Sequence, residues 1–177
     1  MALHEIYDSK EIEKLPENMI VYKIAVIKYS QDGKYEGKYF SPSRGLMAEP
    51  YHEGLNIADT SGIIRRLIKP LTFLSYQAGF HFFLDKKDAE EMYNELKYLR
   101  NVRILECQIV RKNITAMGIQ LKKKTIYSIT GKPRRVIVAS KAVFPKFNDD
   151  KIIFGKMSYG IEYPTYWDKE NKLIRIA

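Results

Sequence analysis

The sequence predicts an α+β fold with a mainly antiparallel sheet, one principal helix and a short N-terminal helix. Runs rich in β-branched and aromatic residues recur along the chain, and a single long stretch has apolar residues at helical spacing. The elements follow the order strand, strand, loop, strand, helix, strand, strand, strand, which is typical of this fold class. A chain of 177 residues can bury a proper core, so residues 1–177 are expected to form one globular domain.

The first predicted elements are a short helix and a long strand. The helix covers residues 8–15, with Asp8 or Ser9 as its N-cap, and Pro16 ends it. Residues 19–29 (MIVYKIAVIKY) give the strongest strand signal in the sequence, because they are rich in β-branched and aromatic side chains.

A hairpin and a long loop are predicted next. Asp32-Gly33 is typical of a tight turn and predicts a returning strand over residues 35–40. Between residues 41 and 79 the periodicity fades among prolines and glycines, so we expect a loop with short strand pieces, and loops of this length are often functional. Residues 76–84 (YQAGFHFFL) are predicted to form one buried strand.

The principal helix is predicted over residues 86–99, with Asp85 as its cap. Its acidic side chains, Asp88 among them, are expected to face water. Its apolar residues recur at helical spacing: Ala89, Met92, Tyr93, Leu96 and Leu99.

Strands dominate the rest of the chain. Three runs predict strands over residues 102–110, 114–127 and 136–144, and a final short strand is expected over 173–176.

Positive charge is concentrated in one segment. The sequence has 30 Lys and Arg against 21 Asp and Glu, a net charge of +9. Residues 100–141 contain eleven of these cations and one acid, Glu106, so the remaining residues are nearly balanced. A segment of one sign predicts an anionic partner, either RNA or a ribonucleoprotein, or the acidic surface of a protein. The alternative is that these lysines protect sheet edges from aggregation.

Eight cations of this segment are the predicted nucleic-acid-binding residues. They are Arg111, Lys112, Lys122, Lys123, Lys124, Lys132, Arg134 and Arg135.

Several function classes are disfavoured by what the sequence lacks. Cys107 is the single cysteine, so no intramolecular disulfide or cysteine zinc site can form, and its apolar run predicts a buried core thiol. The histidines lack metal-ligand spacing and no glycine-rich phosphate loop is present, so neither a metal nor another cofactor is expected. No signal peptide and no apolar run of ~20 residues occurs, which predicts a soluble, cytoplasmic protein without a membrane partner.

Four side chains are candidates for metal-independent catalysis. Alternation along the predicted 76–84 strand places His81 on the same face as Phe83. The structural interpretation of His81 is a hydrogen-bonded core residue. The functional interpretation is a general acid or base, favoured by Tyr76 five residues earlier and by the long loop nearby. His52 and Glu53, in that loop, complete the set.

These features predict a small basic protein that binds RNA or a ribonucleoprotein through residues 100–141. Metal-independent cleavage of RNA near His81 is the accompanying enzymatic hypothesis, since that reaction needs an acid, a base and a cation for the phosphate. Exposed tyrosines would stack bases. The alternative is a non-catalytic inhibitor that docks on an acidic protein surface, and the oligomeric state is left open.

Residues 79–147 resemble the second half of an ADP-ribosyltransferase-type domain. The similarity lies in Gly79-Phe80-His81-Phe82-Phe83 with the helix that follows, and in the run from Val136-Ile137-Val138 to Pro145-Lys146-Phe147. The resemblance implies a related fold and, as a further alternative, an enzyme that uses NAD.

The same resemblance extends to the first strand, where Val21-Tyr22-Lys23 has Tyr22 or Lys23 in place of the family's His or Arg. Arg134-Arg135 stands where the family's catalytic glutamate is expected. This departure implies that the transferase chemistry is lost. In general character the sequence is also similar to phage or mobile-element accessory proteins such as anti-CRISPR inhibitors.

Overall fold

The computed structural model describes residues 3–28, 38–42, 49–69, 72–96, 102–121 and 133–147, together with three strands at 152–156, 162–166 and 173–174. In chain order the elements are β1 (Glu5–Ile6), α1 (Ser9–Glu13), β2 (Asn18–Lys28), β3 (Lys38–Phe40), β4 (Gly54–Ile57), β5 (Ile63–Lys69), β6 (Thr72–Gln77), β7 (Phe80–Phe83), α2 (Lys86–Leu96), β8 (Val102–Val110), a 3-10 turn (Arg111–Asn113), β9 (Ile114–Gln120), β10 (Arg134–Ala139), β11 (Lys141–Phe144), β12 (Ile152–Lys156), β13 (Glu162–Tyr166) and β14 (Leu173–Ile174).

Ten of the described strands form one sheet around the pair β2 and β8. The order along the sheet is β1-β9-β10-β7-β2-β8-β11-β4, with β3 beside β2 and β14 beside β8. β2 pairs with β8 from Asn18 opposite Val110 to Val26 opposite Val102. Among the described strands every pairing is antiparallel except that of β14 with β8. The predicted α+β fold, with a mainly antiparallel sheet and one principal helix, is confirmed.

The sheet buries side chains on both of its faces. Val21 of β2 belongs to a first core cluster and Ile24 to a second, as the period-two alternation of a strand requires. Ile12 of α1 packs against the first cluster. Ala89 of α2 is buried in the second, and the β5–β6 hairpin packs there through Ile64.

Several predicted elements are confirmed with small changes of boundary. Asp8 is the N-cap of α1, because its carboxylate accepts a hydrogen bond from the N–H of Lys10 at 3.1 Å. β2 and β8 match their predicted runs, and β3 pairs antiparallel with β2 as a hairpin requires. The turn at Asp32-Gly33, the helix end at 97–99 and the strand residues 122–127 lie outside the described residues.

Asp88 corrects the expectation that the acids of α2 face water. Its side chain is 5% exposed and its carboxylate accepts a hydrogen bond from the N–H of Arg135 at 3.2 Å. The last pair between β10 and β7 is Val136 opposite Phe83, so the N–H of Arg135 lies beyond that ladder. Asp88 supplies the acceptor that this buried donor needs.

The predicted loop over residues 41–79 contains three strands. β4 pairs with β11 at one edge of the sheet, while β5 and β6 form a separate two-stranded hairpin. Gly62 directly precedes β5, and Pro70 stands between β5 and β6. Gly62 and Pro70 stand at the ends of strands. Because such residues are also typical of loops, their presence predicted a loop here.

Two predicted strands are each divided in two. Residues 76–84 are interrupted at Ala78-Gly79, because β6 pairs with β5 whereas β7 pairs with β10. Residues 136–144 are divided at Ser140, where the chain passes from a pairing with β7 and β9 to a pairing with β4 and β8. The residues on both sides of each break are apolar, so the hydrophobic pattern does not reveal the change of partner.

Within the described ranges no helix is long and apolar enough to cross a membrane.

Candidate nucleic-acid interface

Tyr76 and His81 are brought into direct contact. The interruption between β6 and β7 turns the chain so that the Tyr76 hydroxyl lies 2.9 Å from His81 Nε2. His81 Nδ1 lies 3.2 Å from the carbonyl oxygen of Gly79. The N–H of Leu3 donates a hydrogen bond to the Tyr76 hydroxyl at 3.0 Å. The pair therefore links the N-terminal segment to the hairpin and to the sheet.

The partners of His81 indicate which of its nitrogens carries the hydrogen. A carbonyl oxygen only accepts, so Nδ1 donates to Gly79 and Nε2 accepts from the Tyr76 hydroxyl. His81 is 7% exposed and Tyr76 is 6% exposed, and this burial raises the pKa of Tyr76. The geometry is that of a hydrogen-bonded histidine in the core. Use of His81 as an acid or base would require its hydrogen bonds to Tyr76 and Gly79 to open.

His52 and Glu53 lie apart from that pair. The backbone N–H and carbonyl of His52 both bond the Asn56 side chain, at 2.9 and 2.6 Å, and the His52 ring is exposed. Glu53 Oε1 accepts a hydrogen bond from the N–H of Phe147 at 2.6 Å. Both residues follow Tyr51, which is buried in the first cluster, whereas Tyr76 belongs to the second. The four predicted catalytic residues are therefore divided between the two faces of the sheet.

Arg111 and Arg103 of the basic segment form hydrogen bonds within the protein. Arg111 Nη1 donates to the carbonyl oxygens of Glu13 and Leu15, at 2.8 and 2.7 Å, and so satisfies the C-terminal end of α1. Arg103 is 7% exposed and donates to the carbonyl of Val102 at 3.0 Å.

Arg134 and Arg135 pair with acids at α2. Arg134, which is 1% exposed, bonds Glu95, and its Nε lies 3.8 Å from Glu91. Arg135 bonds both carboxylate oxygens of Asp85, at 3.1 and 3.2 Å, in an ion pair that is about half exposed. Three predicted binding arginines, Arg111, Arg134 and Arg135, are thus occupied by partners within the protein.

Two exposed lysines of the segment lie at one end of the β9–β10 pair. Lys112 precedes Asn113, and Lys141 follows Ser140. The N–H and the hydroxyl of Ser140 both donate to the carbonyl of Asn113, at 2.9 and 3.2 Å, so the two turns are adjacent. Among the described residues neither lysine forms an ion pair.

The other four predicted lysines lie outside the described residues. They belong to the connection that follows β9 and precedes β10: Lys122, Lys123, Lys124 and Lys132.

Lys23 is a buried cation for which the sequence analysis gave no structural role. It is 3% exposed, and its Nζ donates a hydrogen bond to the carbonyl of His81 at 2.9 Å. The same Nζ lies 5.6 Å from the ring centroid of Tyr51 and 5.4 Å from that of Phe82, within the range of a cation–π contact. The signal in the sequence is a lysine in the middle of an otherwise apolar strand. Its contacts are those of a core residue.

Cys107 has the environment of an inert thiol. It is fully buried in the first cluster, and burial raises its pKa well above the ordinary range of a cysteine. The predicted core thiol is confirmed. Elsewhere in the described ranges no group of three or more His, Cys, Asp or Glu is placed to hold a metal ion.

The β5–β6 hairpin exposes a face that the sequence analysis did not single out. Its outer face carries Ile63, Leu67 and Phe73, which are 66, 56 and 47% exposed. The guanidinium carbon of Arg65 lies 4.0 Å from the centroid of the Phe73 ring. Period-two alternation between an apolar and a polar face does not apply here, because both faces of the hairpin carry apolar side chains.

The described residues define a class of protein only, an α+β protein with a basic segment whose described arginines have partners within the protein and whose described lysines, Lys112 and Lys141, are exposed. The chain matches no protein-family model, and no curated protein or solved structure is significantly similar to it. The resemblance to ADP-ribosyltransferase-type domains stays a prediction.

Proposed function

We propose that this protein binds RNA, either free or within a ribonucleoprotein, through the lysines of residues 100–141. The observation that carries the proposal is the concentration of eleven cations against one acid in that segment. An RNA strand offers the regular series of negative charges that such a surface attracts.

Because the described arginines have partners within the protein, the proposal is limited to particular lysine side chains. Arg103 and Arg134 are buried, and Arg111 and Arg135 already contact carbonyl oxygens or a carboxylate. Lys112 and Lys141, which are exposed, are the described cations that remain for phosphate contacts. The lysines of the β9–β10 connection, Lys122 to Lys124 and Lys132, are the other proposed contacts.

The proposal is for binding, and cleavage of RNA is kept separate from it. His81 and Tyr76 are buried and bonded to each other and to backbone groups. If the pair acts on RNA, the protein will cleave a labelled single strand in the presence of EDTA, and His81→Ala will abolish this cleavage without weakening binding. If the RNA stays intact after prolonged incubation, the cleavage hypothesis is rejected and binding is the proposed activity that remains.

Fluorescence anisotropy with a labelled 20-nucleotide single-stranded RNA tests the binding proposal. The wild-type protein should bind at 50 mM salt and more weakly at 150 mM. The variant with Lys122→Glu, Lys123→Glu and Lys124→Glu should bind more weakly at both. Its slope of log affinity against log salt should fall by about 0.7 for each lost phosphate contact, as expected for a single strand.

A charge-matched variant provides the control. Lys10→Glu, Lys14→Glu and Lys87→Glu change the net charge by the same amount at exposed lysines outside the segment. This variant should retain most of the affinity. Equal losses in both variants would show that net charge alone governs binding, and no binding by the wild type at either salt would overturn the proposal.

A further inference from the structure

The outer face of the β5–β6 hairpin combines apolar, aromatic and basic side chains. The register places Leu67 opposite Phe73 and Arg65 opposite Ser75, so Arg65 and Phe73 are diagonal neighbours on one face. At this spacing a long side chain reaches the ring, and the guanidinium of Arg65 lies 4.0 Å from the Phe73 centroid. An aromatic ring and a planar cation are thus stacked on an exposed sheet surface.

The side chains of the outer face are not needed to hold the hairpin in place. Its inner face does that, because Ile64, Leu74 and Tyr76 pack against or within the second core cluster. Ile63, Leu67 and Phe73 remain largely in solvent on the other side. Exposed apolar side chains on both sides of a cation on one sheet face are a candidate interaction site.

The charge around the patch identifies an anionic partner. Residues 60–84 contain no Asp or Glu, and Arg65 is the cation described on the outer face, whereas Arg66 lies on the inner face beside His4. Within the described residues no carboxylate pairs with Arg65. A second copy of the same face would bring Arg65 against like charge in a two-fold interface, which is unfavourable.

We infer that this outer face is a stacking platform for the bases of single-stranded RNA. A base stacks on the guanidinium of Arg65, which lies over the Phe73 ring, and Ile63 and Leu67 pack on the neighbouring sugar and base. Stacking on an aromatic side chain needs an unpaired base, so the face distinguishes a single strand from a duplex.

The inner face of the hairpin lies near Leu121, which precedes the lysine-rich connection. His4 bridges the two, since its Nε2 is 2.6 Å from Arg66 Nη2 and its Nδ1 is 3.1 Å from the N–H of Leu121. Lys122 follows Leu121 in the sequence. The proposed lysine contacts therefore begin one residue after Leu121, which His4 joins to the hairpin, and in this respect the inference rests on the proposed function.

The test compares single-stranded and double-stranded RNA of one sequence by anisotropy. Phe73→Ala should weaken binding of the single strand by about five- to 150-fold, the range for loss of one stacked base. It should leave the salt slope and the affinity for the duplex unchanged. Phe73→Trp should retain binding. Leu55→Ala removes an exposed apolar side chain of β4, 60% exposed, and is the control that should bind as the wild type does.

Ultraviolet crosslinking of the wild-type protein provides a second readout that does not depend on a variant folding. Mass spectrometry should find the crosslinked nucleotide on the peptide that contains Phe73. Unchanged affinity of Phe73→Ala, with no crosslink there, would overturn the platform while the lysine surface stands. Self-association that Phe73→Ala abolishes would show a protein interface and would also overturn it.

The platform and the lysine surface can fail independently. Loss of binding in Phe73→Ala together with full binding in the triple lysine variant would retain the platform and reject the lysine surface. Absence of RNA binding by the wild type would reject both.

Discussion

Buried polar side chains connect parts of this chain that are far apart in sequence. The Tyr76 hydroxyl joins the N–H of Leu3 to the ring of His81, and Lys23 reaches the His81 carbonyl from the next strand. Each bond joins buried polar groups, and removing one partner of a buried hydrogen bond costs about 1–3 kcal/mol. Single residues therefore fix the positions of the N-terminal segment and the hairpin on the sheet.

Removing the Tyr76 hydroxyl should destabilise the fold. Tyr76→Phe leaves the Leu3 N–H and His81 Nε2 without their shared partner, so the free energy of unfolding should fall by about 1–3 kcal/mol in urea. Tyr7→Phe is the control, since Tyr7 is partly buried against the first cluster and, among the described residues, bonds through its backbone N–H to the carbonyl of Met117. Equal stability of Tyr76→Phe and the wild type would contradict the assigned bonds.

The same residue gives a dependence on pH. Burial raises the pKa of Tyr76 above its ordinary value of about 10, so the unfolded chain loses this proton at a lower pH than the folded protein. The stability from this group is complete below about pH 10 and is lost as the pH rises further. The free energy of unfolding, measured in urea, should therefore decrease less between pH 8 and pH 11 for Tyr76→Phe than for the wild type.

Gly79 is required where β7 approaches β10 closely. A Cβ atom at Gly79 would lie 2.8 Å from the carbonyl oxygen of Ala139 and 2.9 Å from Val138 Cγ1. Gly79→Ala should therefore cost about 1–3 kcal/mol of stability, as overpacking does. At Gly62 the nearest atom would be Ala78 Cβ at 3.7 Å, so Gly62→Ala should cost much less. Thermal unfolding of the two variants compares them, and similar melting temperatures would refute the close approach.

Among the secondary-structure elements, α1 depends on a residue far from it in sequence. A five-residue helix is too short to be stable alone, and Arg111 supplies donors to the carbonyl oxygens of Glu13 and Leu15. The adjacent Lys112 is exposed and contacts no described partner. Two neighbouring cations thus have different roles.

These two residues form a matched pair for mutation. Arg111→Ala should lower the free energy of unfolding by about 1–3 kcal/mol because charge-assisted hydrogen bonds are lost. Lys112→Ala should leave stability unchanged within about 0.5 kcal/mol and should weaken RNA binding with a smaller salt slope. The described contacts would be contradicted if Lys112→Ala lowered stability in denaturation and Arg111→Ala instead weakened RNA binding in anisotropy.

The sequence predicts strands well wherever one run of residues keeps one set of partners. β2 and β8 were predicted almost to the residue because β-branched and aromatic side chains fill both, and α2 because its apolar residues recur at helical spacing. The predictions were wrong at Gly79 and Ser140, where the chain changes partner inside an apolar run. Local pattern contains no information about which strand lies alongside.

The sequence predicts where the positive charge of the candidate site lies, but not which residues its arginines contact. Net charge along the chain located residues 100–141, but the partners of Arg134 and Arg135 lie on α2, some 40 to 50 positions away. Tyr76 and His81 were both candidates, but in the predicted continuous strand positions five apart lie on opposite faces, so their contact depends on the interruption at Ala78-Gly79. The outer face of the hairpin was not, because its two strands had been interpreted as loop.

At the scale of the whole molecule, net charge overstates the positive surface. Four arginines of the basic segment, Arg103, Arg111, Arg134 and Arg135, form hydrogen bonds or ion pairs within the described protein. Arg111 contacts α1, and Arg134 and Arg135 contact α2. Of the described cations of the segment, Lys112 and Lys141 are the exposed ones that form no ion pair among the described residues, and lysines act as point charges that suit phosphate binding without sequence preference.

The pairing of β2 with β8 also has a kinetic consequence. Asn18 pairs with Val110 and Val26 with Val102, so forming the central pair of the sheet closes loops of roughly 75 to 90 residues. Proteins with such non-local contacts fold on the scale of milliseconds to seconds. Stopped-flow refolding from urea should give rates in that range, and a microsecond phase that accounts for the full amplitude would be incompatible with this order of strands. During that interval the apolar residues of β2 and β8 remain unpaired, so the slow assembly of the central pair sets the time over which the chain is prone to aggregate.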